Sequence, residues 1–301
     1  MAVELDRTCW RGMEIGHPPD WELSFACEPD APGRCSFSDR YYQRMDVRWR
    51  ELKYVPDLDK MLDKYRLRKE KKTTFHDAAH LPDPWKGIAR RTPQGWILHA
   101  GRFFRDRRVL TEVTIMWPRR RDTQVERAVL DSIATQGPGA EARTWQAMGI
   151  RVEIAGSYDL VACSSKVGRV VWEFRPAGKA RGGELTLERI ALSRYWLDGT
   201  LRDWLKQQLP PQSRVIRADL TFHDEHRAEQ LISSSSINVF SSLRGLRRLR
   251  LNVAWECPKE GRVYHVSCAE PSRGDAIELP EHFKVQCCKP VHEVLSAEGR
   301  G

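Results

Sequence analysis

The sequence has 301 residues, of which 41% are hydrophobic and 30% charged, and this composition excludes a wholly disordered chain. At about 100–200 residues per domain, the length predicts two domains. Fifty Lys and Arg against 41 Asp and Glu give a net charge of +9, which favours an acidic or polyanionic partner without requiring one.

The sequence predicts a protein that is kept in the cytoplasm. No stretch reaches the ~18–20 continuous apolar residues that span a bilayer, so no contact with a membrane is expected. Acidic residues stand near the start, at Glu4 and Asp6, where a signal peptide would carry basic residues. The eight cysteines contain no Cys-x-x-Cys pair, and in a reducing cytoplasm they are expected to be thiols.

In chain order, the first half combines alternating strands with two helices. Val47 and Trp49 belong to a two-residue alternation, which is typical of half-buried strands. A helix is predicted over 56–65, where an acid near the start suits the helix dipole and apolar residues recur three or four apart. The alternation returns over 111–117, and a second helix is predicted over 125–133.

The second half has the same order of elements. It begins after a linker rich in Gly and Pro at 136–140. Alternating strands are predicted over 170–174 and 249–255, with a helix over 197–205 between them. By correspondence with the first half, a closing helix is expected over 278–285.

Matching residues recur in the two halves at a nearly constant spacing. Trp10 and Met13 recur as Trp145 and Met148, at an offset of 135 residues. Further on, an offset of 140 places Arg107 and Arg108 over Arg247 and Arg248, so the hairpins that carry them are expected to be equivalent.

The common order of these matches predicts a tandem duplication. The first lobe is expected to span 1–138 and the second 139–301. Each lobe is predicted to be an antiparallel-sheet α/β sandwich of the α+β class, with helices on one face.

One stretch of the first half resembles a known type of fold. An apolar strand and a Pro-x-x-Trp turn at 13–23 are followed by Gly33-Arg34 and an alternating strand at 47–49. This order resembles the Mog1/PsbP type of α/β sandwich. The second half departs from it, because 153–158 lacks the Pro and has Tyr in place of Trp. The resemblance implies a binding or assembly module and brings no functional residue with it.

The sequence Thr-Phe-His-Asp occurs twice, and each copy is followed closely by a second histidine. The two histidine pairs are His76 and His80, and His223 and His226. On a helix, His76 and His80 would share one face, and imidazoles at that spacing can bind a transition metal. The pattern lacks third and fourth ligands, and Pro82 would end the helix soon after His80. Imidazoles that cap backbone groups are therefore the favoured interpretation over a metal site.

The C-terminal part concentrates further metal-binding residue types, namely Cys257, His265, Cys268, His282, Cys287, Cys288 and His292. They could supply the ligands of a zinc ion, but the gap between Cys257 and Cys268 is too wide for a zinc knuckle. On one strand, His265 and Cys268 would point to opposite faces. Buried thiols are favoured here, and no cofactor is expected.

Clustered arginines are the candidate nucleic-acid ligands, and they are Arg119, Arg120, Arg121, Arg244, Arg247, Arg248 and Arg250. The guanidinium fork binds phosphate oxygens, so these side chains could follow a nucleic-acid backbone. No recognition motif accompanies them, and arginines on strands also discourage edge-to-edge aggregation.

No nucleophile elbow, Walker motif or dinucleotide fingerprint is present. The expected function is therefore that of a non-enzymatic cytoplasmic adaptor or accessory subunit. It would bind another macromolecule, a protein in the first place, through the lobe surfaces and a groove between the lobes. The alternative is an RNA- or DNA-binding accessory protein, and a metal-dependent hydrolase that uses the four histidines is the least favoured.

Overall fold

The computed structural model describes residues 3–26, 32–68, 74–137, 139–178, 182–223, 225–236, 246–272 and 274–288. The chain divides into two compact units. Unit 1 contains the described residues up to Ala140 together with Trp145–Gly149, and unit 2 contains Glu141–Thr144 and 150–288. Among these residues, none of the helices has both the length and the hydropathy that a membrane span requires. Independent folding of the lobes 1–138 and 139–301 stays a prediction.

Unit 1 is built around an antiparallel sheet of seven strands. Its elements are β1 (Asp6–Trp10), β2 (Met13–His17), β3 (Glu22–Ala26), β4 (Gly33–Ser38), β5 (Gln43–Glu51), α1 (Leu58–Arg68), β6 (Phe75–Asp77), β7 (Lys86–Thr92), β8 (Gly95–Phe104), β9 (Val109–Trp117), α2 (Thr123–Ser132) and β10 (Ala134–Thr135). The sheet order is β3-β4-β5-β9-β8-β7-β6. Strand β2 pairs with β1 and with β10.

One face of this sheet forms the core of unit 1. Phe37, Met45, Ile115 and Leu98 stand opposite one another on four neighbouring strands, and all four are fully buried. The ring of His17 lies 4.6 Å from that of Phe37, which places β2 over this face. The other face carries α1.

Unit 2 contains a second seven-stranded antiparallel sheet. After β11 (Ala142–Ala147), its elements are β12 (Ile150–Ala155), β13 (Tyr158–Lys166), β14 (Arg169–Pro176), β15 (Glu184–Ala191), α3 (Ser193–Trp196), α4 (Leu201–Gln207), β16 (Arg214–His223), β17 (His226–Ser236), β18 (Arg247–Cys257), β19 (Arg262–Ser272) and β20 (Lys284–Gln286). The sheet order is β13-β14-β15-β19-β18-β17-β16, and β12 pairs with β20.

The two faces of this second sheet are also different. Trp172, Leu187 and Val266 stand opposite one another on the buried face. On the other face, α4 packs Leu205 against Leu231 of β17 and Ala254 of β18. Each unit is thus mostly antiparallel sheet with few helices, in accord with the predicted α+β sandwich.

The seven-stranded sheets have the same strand order, but the predicted residue matches are shifted. The turn after β1 has left-handed backbone at Arg11 and Gly12, and the turn after β11 has it at Met148 and Gly149. The turns are therefore 137 residues apart, and the offset of 135 is wrong: Met13 begins β2, whereas Met148 lies in a turn. Descent of both units from one duplicated ancestor stays a prediction.

The predicted equivalence of the two arginine-bearing hairpins is also wrong. Arg107 and Arg108 lie in the turn between β8 and β9. Arg247 and Arg248 are the first residues of β18, which has the position of β8 in the strand order. The match between the two pairs of arginines therefore compares a turn in unit 1 with the start of a strand in unit 2.

Most of the predicted elements are present. Helices α1, α2 and α4 cover most of the three segments with helical spacing, and β5, β9, β14 and β18 follow the predicted alternations. The helix expected over 278–285 is wrong, because the chain there makes a turn, with Phe283 N donating to Pro280 O, and then forms β20. Pairing of β20 with β12 satisfies backbone groups that a helix would have satisfied internally.

Candidate metal centre and binding surfaces

Four metal-binding side chains lie together at one end of unit 2, and they are His226, Cys257, Cys287 and Cys288. One ligand atom of each lies within 4.8 Å of the others. Cys288 Sγ is 2.8 Å from Cys257 Sγ and 3.0 Å from His226 Nε2. Three sulfurs and one imidazole nitrogen form one of the donor sets that hold structural zinc.

Strand pairing brings the first two of these residues together. His226 begins β17 and Cys257 ends β18. These strands pair with Ala228 opposite Trp255, and the same register places His226 opposite Cys257. Directly opposed residues of an antiparallel pair project to the same face, here the buried one.

Strand β20 brings the two adjacent cysteines to the same place. Its pairing with β12 sets Val285 opposite Val152. His223 Nε2 lies 2.8 Å from the carbonyl oxygen of Val285, and the His223 ring stacks on Trp255 at 3.9 Å. His223 therefore holds β20 and is not a member of this cluster.

The cluster is largely buried, and one hydrogen-bond donor outside it faces a sulfur. Cys257 and Cys287 are buried, whereas His226 and Cys288 are half-buried. The indole N–H of Trp255 donates to Cys287 Sγ over 3.4 Å, and a donor at this position stabilises a thiolate. Behind the cluster, the backbone N–H of Cys288 donates to the carboxylate of Glu260.

His265 lies elsewhere in unit 2. It is buried on the face that carries α4, with Nε2 3.2 Å from Asn252 Oδ1 and its ring against Trp204. Burial, together with the nearby Arg250 guanidinium, lowers the pKa of His265 to about 4. The ring is therefore a neutral core residue at pH 7.

The other predicted members of the C-terminal group do not join the cluster either. Cys268 lies on the opposite face of β19 from His265, as predicted, and burial raises the pKa of its thiol to about 11. The imidazole of His282 lies 3.2 Å from a carboxylate oxygen of Glu141. His292 is outside the described residues.

The first histidine pair does not lie on a helix, so the two imidazoles do not share the face that a metal site there would have needed. His76 lies on the short strand β6 with its ring 5.1 Å from that of Trp96, and His80 lies in a following turn. Strand geometry separates two side chains that a helix would have aligned. His80 Nε2 instead lies 2.7 Å from Glu126 Oε2, so it contacts a side chain and not the backbone groups expected.

Glu126 is the centre of a buried polar cluster in unit 1. Its carboxylate is fully buried and accepts hydrogen bonds from Trp117 Nε1 at 2.8 Å and from Arg121 at 2.7–3.0 Å. Asp122 caps the N-terminus of α2 and so fixes the helix that carries Glu126. Arg121 is therefore an internal partner of a carboxylate and is not presented to an external phosphate.

Three other predicted phosphate-binding arginines also have partners within unit 2. Arg247 pairs with Asp275 at 2.9 Å, and Arg248 pairs with Glu184 at 3.2 Å. Arg250 is half-buried and donates to Ser267 Oγ. Arg119 and Arg120 are exposed in the segment before α2, and Arg244 is outside the described residues.

Strand β16 forms an exposed apolar edge of the unit 2 sheet. It is ten residues long, and it pairs only with β17 among the described strands. Phe222 is 74% exposed and Leu220 is 48% exposed, and both project to one face because they are two residues apart. Val215 and Ile216 are exposed near a bulge at the other end of the strand.

A cleft of about 420 Å³ lies under α1 in unit 1. Tyr65 Oη is 2.5 Å from His99 Nε2, and His99 Nδ1 is 3.1 Å from Thr114 Oγ1. Burial raises the pKa of Tyr65, so the phenol stays protonated at neutral pH. A hydrogen-bonded chain of Tyr65, His99 and Thr114 thus lines the cleft.

In the sequence, His226 and the C-terminal cysteines belong to separate candidate sites. Their shared location depends on which strands pair, and a local pattern carries no such information. The exposed surface of β16 was also not predicted, although Leu220 and Phe222 show the alternation that identified other strands.

No family model matches the sequence, and no curated protein matches it. Two solved structures of the immunity protein TplEi of T6SS from Pseudomonas aeruginosa align with most of the chain. The structure complexed with "L" peptide has a TM-score of 0.36 at 10% identity and covers 93% of this chain and 91% of that chain. The apo structure has a TM-score of 0.37 at 11% identity, with coverages of 92% and 90%. A likeness of this size assigns neither a family nor a function.

Proposed function

We propose that this chain is a non-enzymatic cytoplasmic adaptor or accessory subunit that binds another protein. The segment that it binds is extended and adds to the unit 2 sheet along β16. The single observation that carries the proposal is the ten-residue edge strand with exposed Leu220 and Phe222.

The edge of β16 has the properties of a site for strand addition. An edge strand presents backbone N–H and C=O groups to which another strand can bind, and most proteins protect such edges with short strands, proline or charge. Strand β16 contains no proline, and its charged residues and its bulge lie within 214–219, before Leu220 and Phe222. By contrast, β6, the edge strand at the same position in unit 1, has only three residues.

The other edge of the same sheet is a natural comparison. Strand β13 has nine residues, but its only large exposed apolar side chain is Val161. It ends in the polar sequence Ser164-Ser165-Lys166, which is exposed. Strand β16 is therefore the edge of this sheet where burial of apolar area would favour binding most.

The side chains of β16 indicate the chemistry of its partner. Apolar side chains at alternate positions of the added strand would pack beside Leu220 and Phe222. Arg214 and Arg217 are exposed near the start of β16, and Asp219 balances only one of these charges. An acidic residue in the partner segment near Arg214 would complete the match.

Protein binding is favoured over the nucleic-acid alternative by the pairing of the arginines. Arg121, Arg247 and Arg248 are engaged by Glu126, Asp275 and Glu184. Displacement of the buried Glu126 from Arg121 would be costly, and the carboxylates beside the exposed Arg247 and Arg248 reduce the net positive charge that would attract a phosphate.

The test begins with a photoreactive amino acid in place of Phe222, or of Val161 as the matched control, in cells that naturally make the protein. Mass spectrometry identifies the protein crosslinked at Phe222. The affinity of that purified protein is then measured by calorimetry for the wild type, the double variant L220K/F222K and V161K.

We expect L220K/F222K to lose more than about tenfold in affinity, because lysines hinder an apolar strand addition, while V161K changes affinity less than about twofold. Backbone amides of β16 should gain protection from hydrogen exchange in the complex. Equal affinities for all three proteins, or crosslinks from Phe222 only to a second copy of this chain, would overturn the proposal.

A further inference from the structure

We propose that His226, Cys257, Cys287 and Cys288 bind one structural Zn²⁺ ion in unit 2. This inference is independent of the protein-binding proposal, because it depends on other residues and has a separate test. Its basis is the convergence of three strand ends on one group of four ligand atoms within 4.8 Å.

The donor set matches zinc in kind and number. Zinc sites with three cysteines and one histidine are tetrahedral, with Zn–S distances of about 2.3 Å and Zn–N distances of about 2.0–2.1 Å. These lengths imply about 3.8 Å between two bound sulfurs and about 3.6 Å between sulfur and nitrogen. The pairs at 2.8 Å and 3.0 Å would open by about 1 Å or less, which side-chain rotation can supply.

The protein itself supplies all four ligands, and one hydrogen-bond donor faces a sulfur. On binding, the three thiols release three protons to solvent, and the site with Zn²⁺, three thiolates and a neutral imidazole carries one negative charge. The indole N–H of Trp255 points to one of the sulfurs, that of Cys287. Because protein side chains fill all four positions, no water is activated, and the ion is structural rather than catalytic.

The ion would join segments that are far apart in the sequence. Cys288 is 62 residues from His226 and 31 residues from Cys257. Strand β20 is only three residues long and needs such an attachment more than a long strand does. The expected role of the zinc is thus to fix β20 against the ends of β17 and β18.

The first measurement is the metal content of the full chain, purified under reducing conditions without a histidine tag. We expect one zinc per chain by elemental analysis. Substitution by Co²⁺ should give the visible absorption of tetrahedral cobalt with thiolate ligands, and this measurement needs no variant. Wild-type protein that contains iron in place of zinc, or that binds no zinc after reconstitution with Zn²⁺ alone, would overturn the proposal.

The second measurement uses matched variants and a chromophoric zinc chelator as competitor. H226A should lose more than about tenfold in zinc affinity, since loss of an outer partner alone typically costs 10–100-fold. H226C restores a fourth ligand and should keep the zinc, as should C163S, which changes a cysteine outside the cluster. A Cys257–Cys288 disulfide in freshly purified protein without zinc, or equal affinity of H226A and wild type, would contradict the proposal.

Discussion

In each unit, a histidine side chain contacts a segment that comes later in the chain, and the chemistry of this contact differs between the units. In unit 1, His80 contacts Glu126 and so ties the turn after β6 to α2. In unit 2, His226 contacts Cys288 and so ties the start of β17 to the residues after β20. Both histidines follow a Thr-Phe-His-Asp sequence, and in both units the earlier histidine lies against a tryptophan. Similar sequences thus serve a similar structural task, with a carboxylate in one unit and thiols in the other.

The helices over the outer faces differ as well. Helix α4 buries Leu205 completely, and its Trp204 lies against the ring of His265. Helix α1 has Met61 and Leu62 only half-buried, because the cleft lies between it and the sheet. Helix α4 is therefore part of the core of unit 2, whereas helix α1 lines a cleft in unit 1.

The largest effect on stability is expected at the buried polar cluster around Glu126 in unit 1. E126Q should lower the free energy of unfolding by about 3–5 kcal/mol, because it leaves Arg121 without its buried counter-charge. Urea denaturation at pH 7 measures this value. D131N, on the exposed face of the same helix, should change it by less than about 0.5 kcal/mol. Equal stabilities of E126Q and D131N would contradict the role given to the cluster.

The next effect compares the two helices directly. L205A should destabilise unit 2 by about 2–5 kcal/mol, since it leaves a cavity against Leu231 and Ala254. M61A should cost about 1 kcal/mol, because Met61 already borders an open cleft. Hydrogen exchange resolved by peptide reports each unit separately, and similar losses from both substitutions would remove the distinction between core helix and cavity wall.

A smaller effect is expected from pH. The folded-state pKa of His265 is about 4, so between pH 6.5 and 4 the unfolded chain binds a proton that the folded chain does not. Stability should therefore fall as pH falls, by about 2–3 kcal/mol between pH 7 and 4.5.

Urea denaturation across this pH range compares the wild type with H265Q. In the variant, the free energy of unfolding should fall less steeply as the pH is lowered. Burial also lowers the pKa of His17 in unit 1, and its contribution should remain in the variant. Identical pH profiles for the two proteins would show that His265 is not responsible.

The sequence predicted elements better than it predicted their partners. Alternation identified β14 and β18 because one face of each strand is buried, and burial leaves a local pattern. The helix over 278–285 was expected only by correspondence with the first half, and the chain there forms β20 instead, whose backbone groups are satisfied by pairing with β12.

The cluster of His226 with three cysteines also shows that the sequence does not reveal which strands pair. The ligand types were visible, but His226 and Cys257 meet only because β17 pairs with β18 in one register. Long-range pairing of this kind is decided by the packing of the whole sheet. Similarly, the buried acid Glu126 has no sequence signal, since an acid in the first turn of a helix is most often exposed.

Strand β16 ends at His223, three residues before His226, so one tight hairpin carries the exposed edge at one side and a zinc ligand at the other. If occupation of the edge restrains this hairpin in the geometry that suits the ion, the two events reinforce each other. Thermodynamic reciprocity then requires that the ion raise affinity for the added strand by the same factor by which the strand raises affinity for the ion. Removal of the ion would then weaken binding of the added strand by that factor.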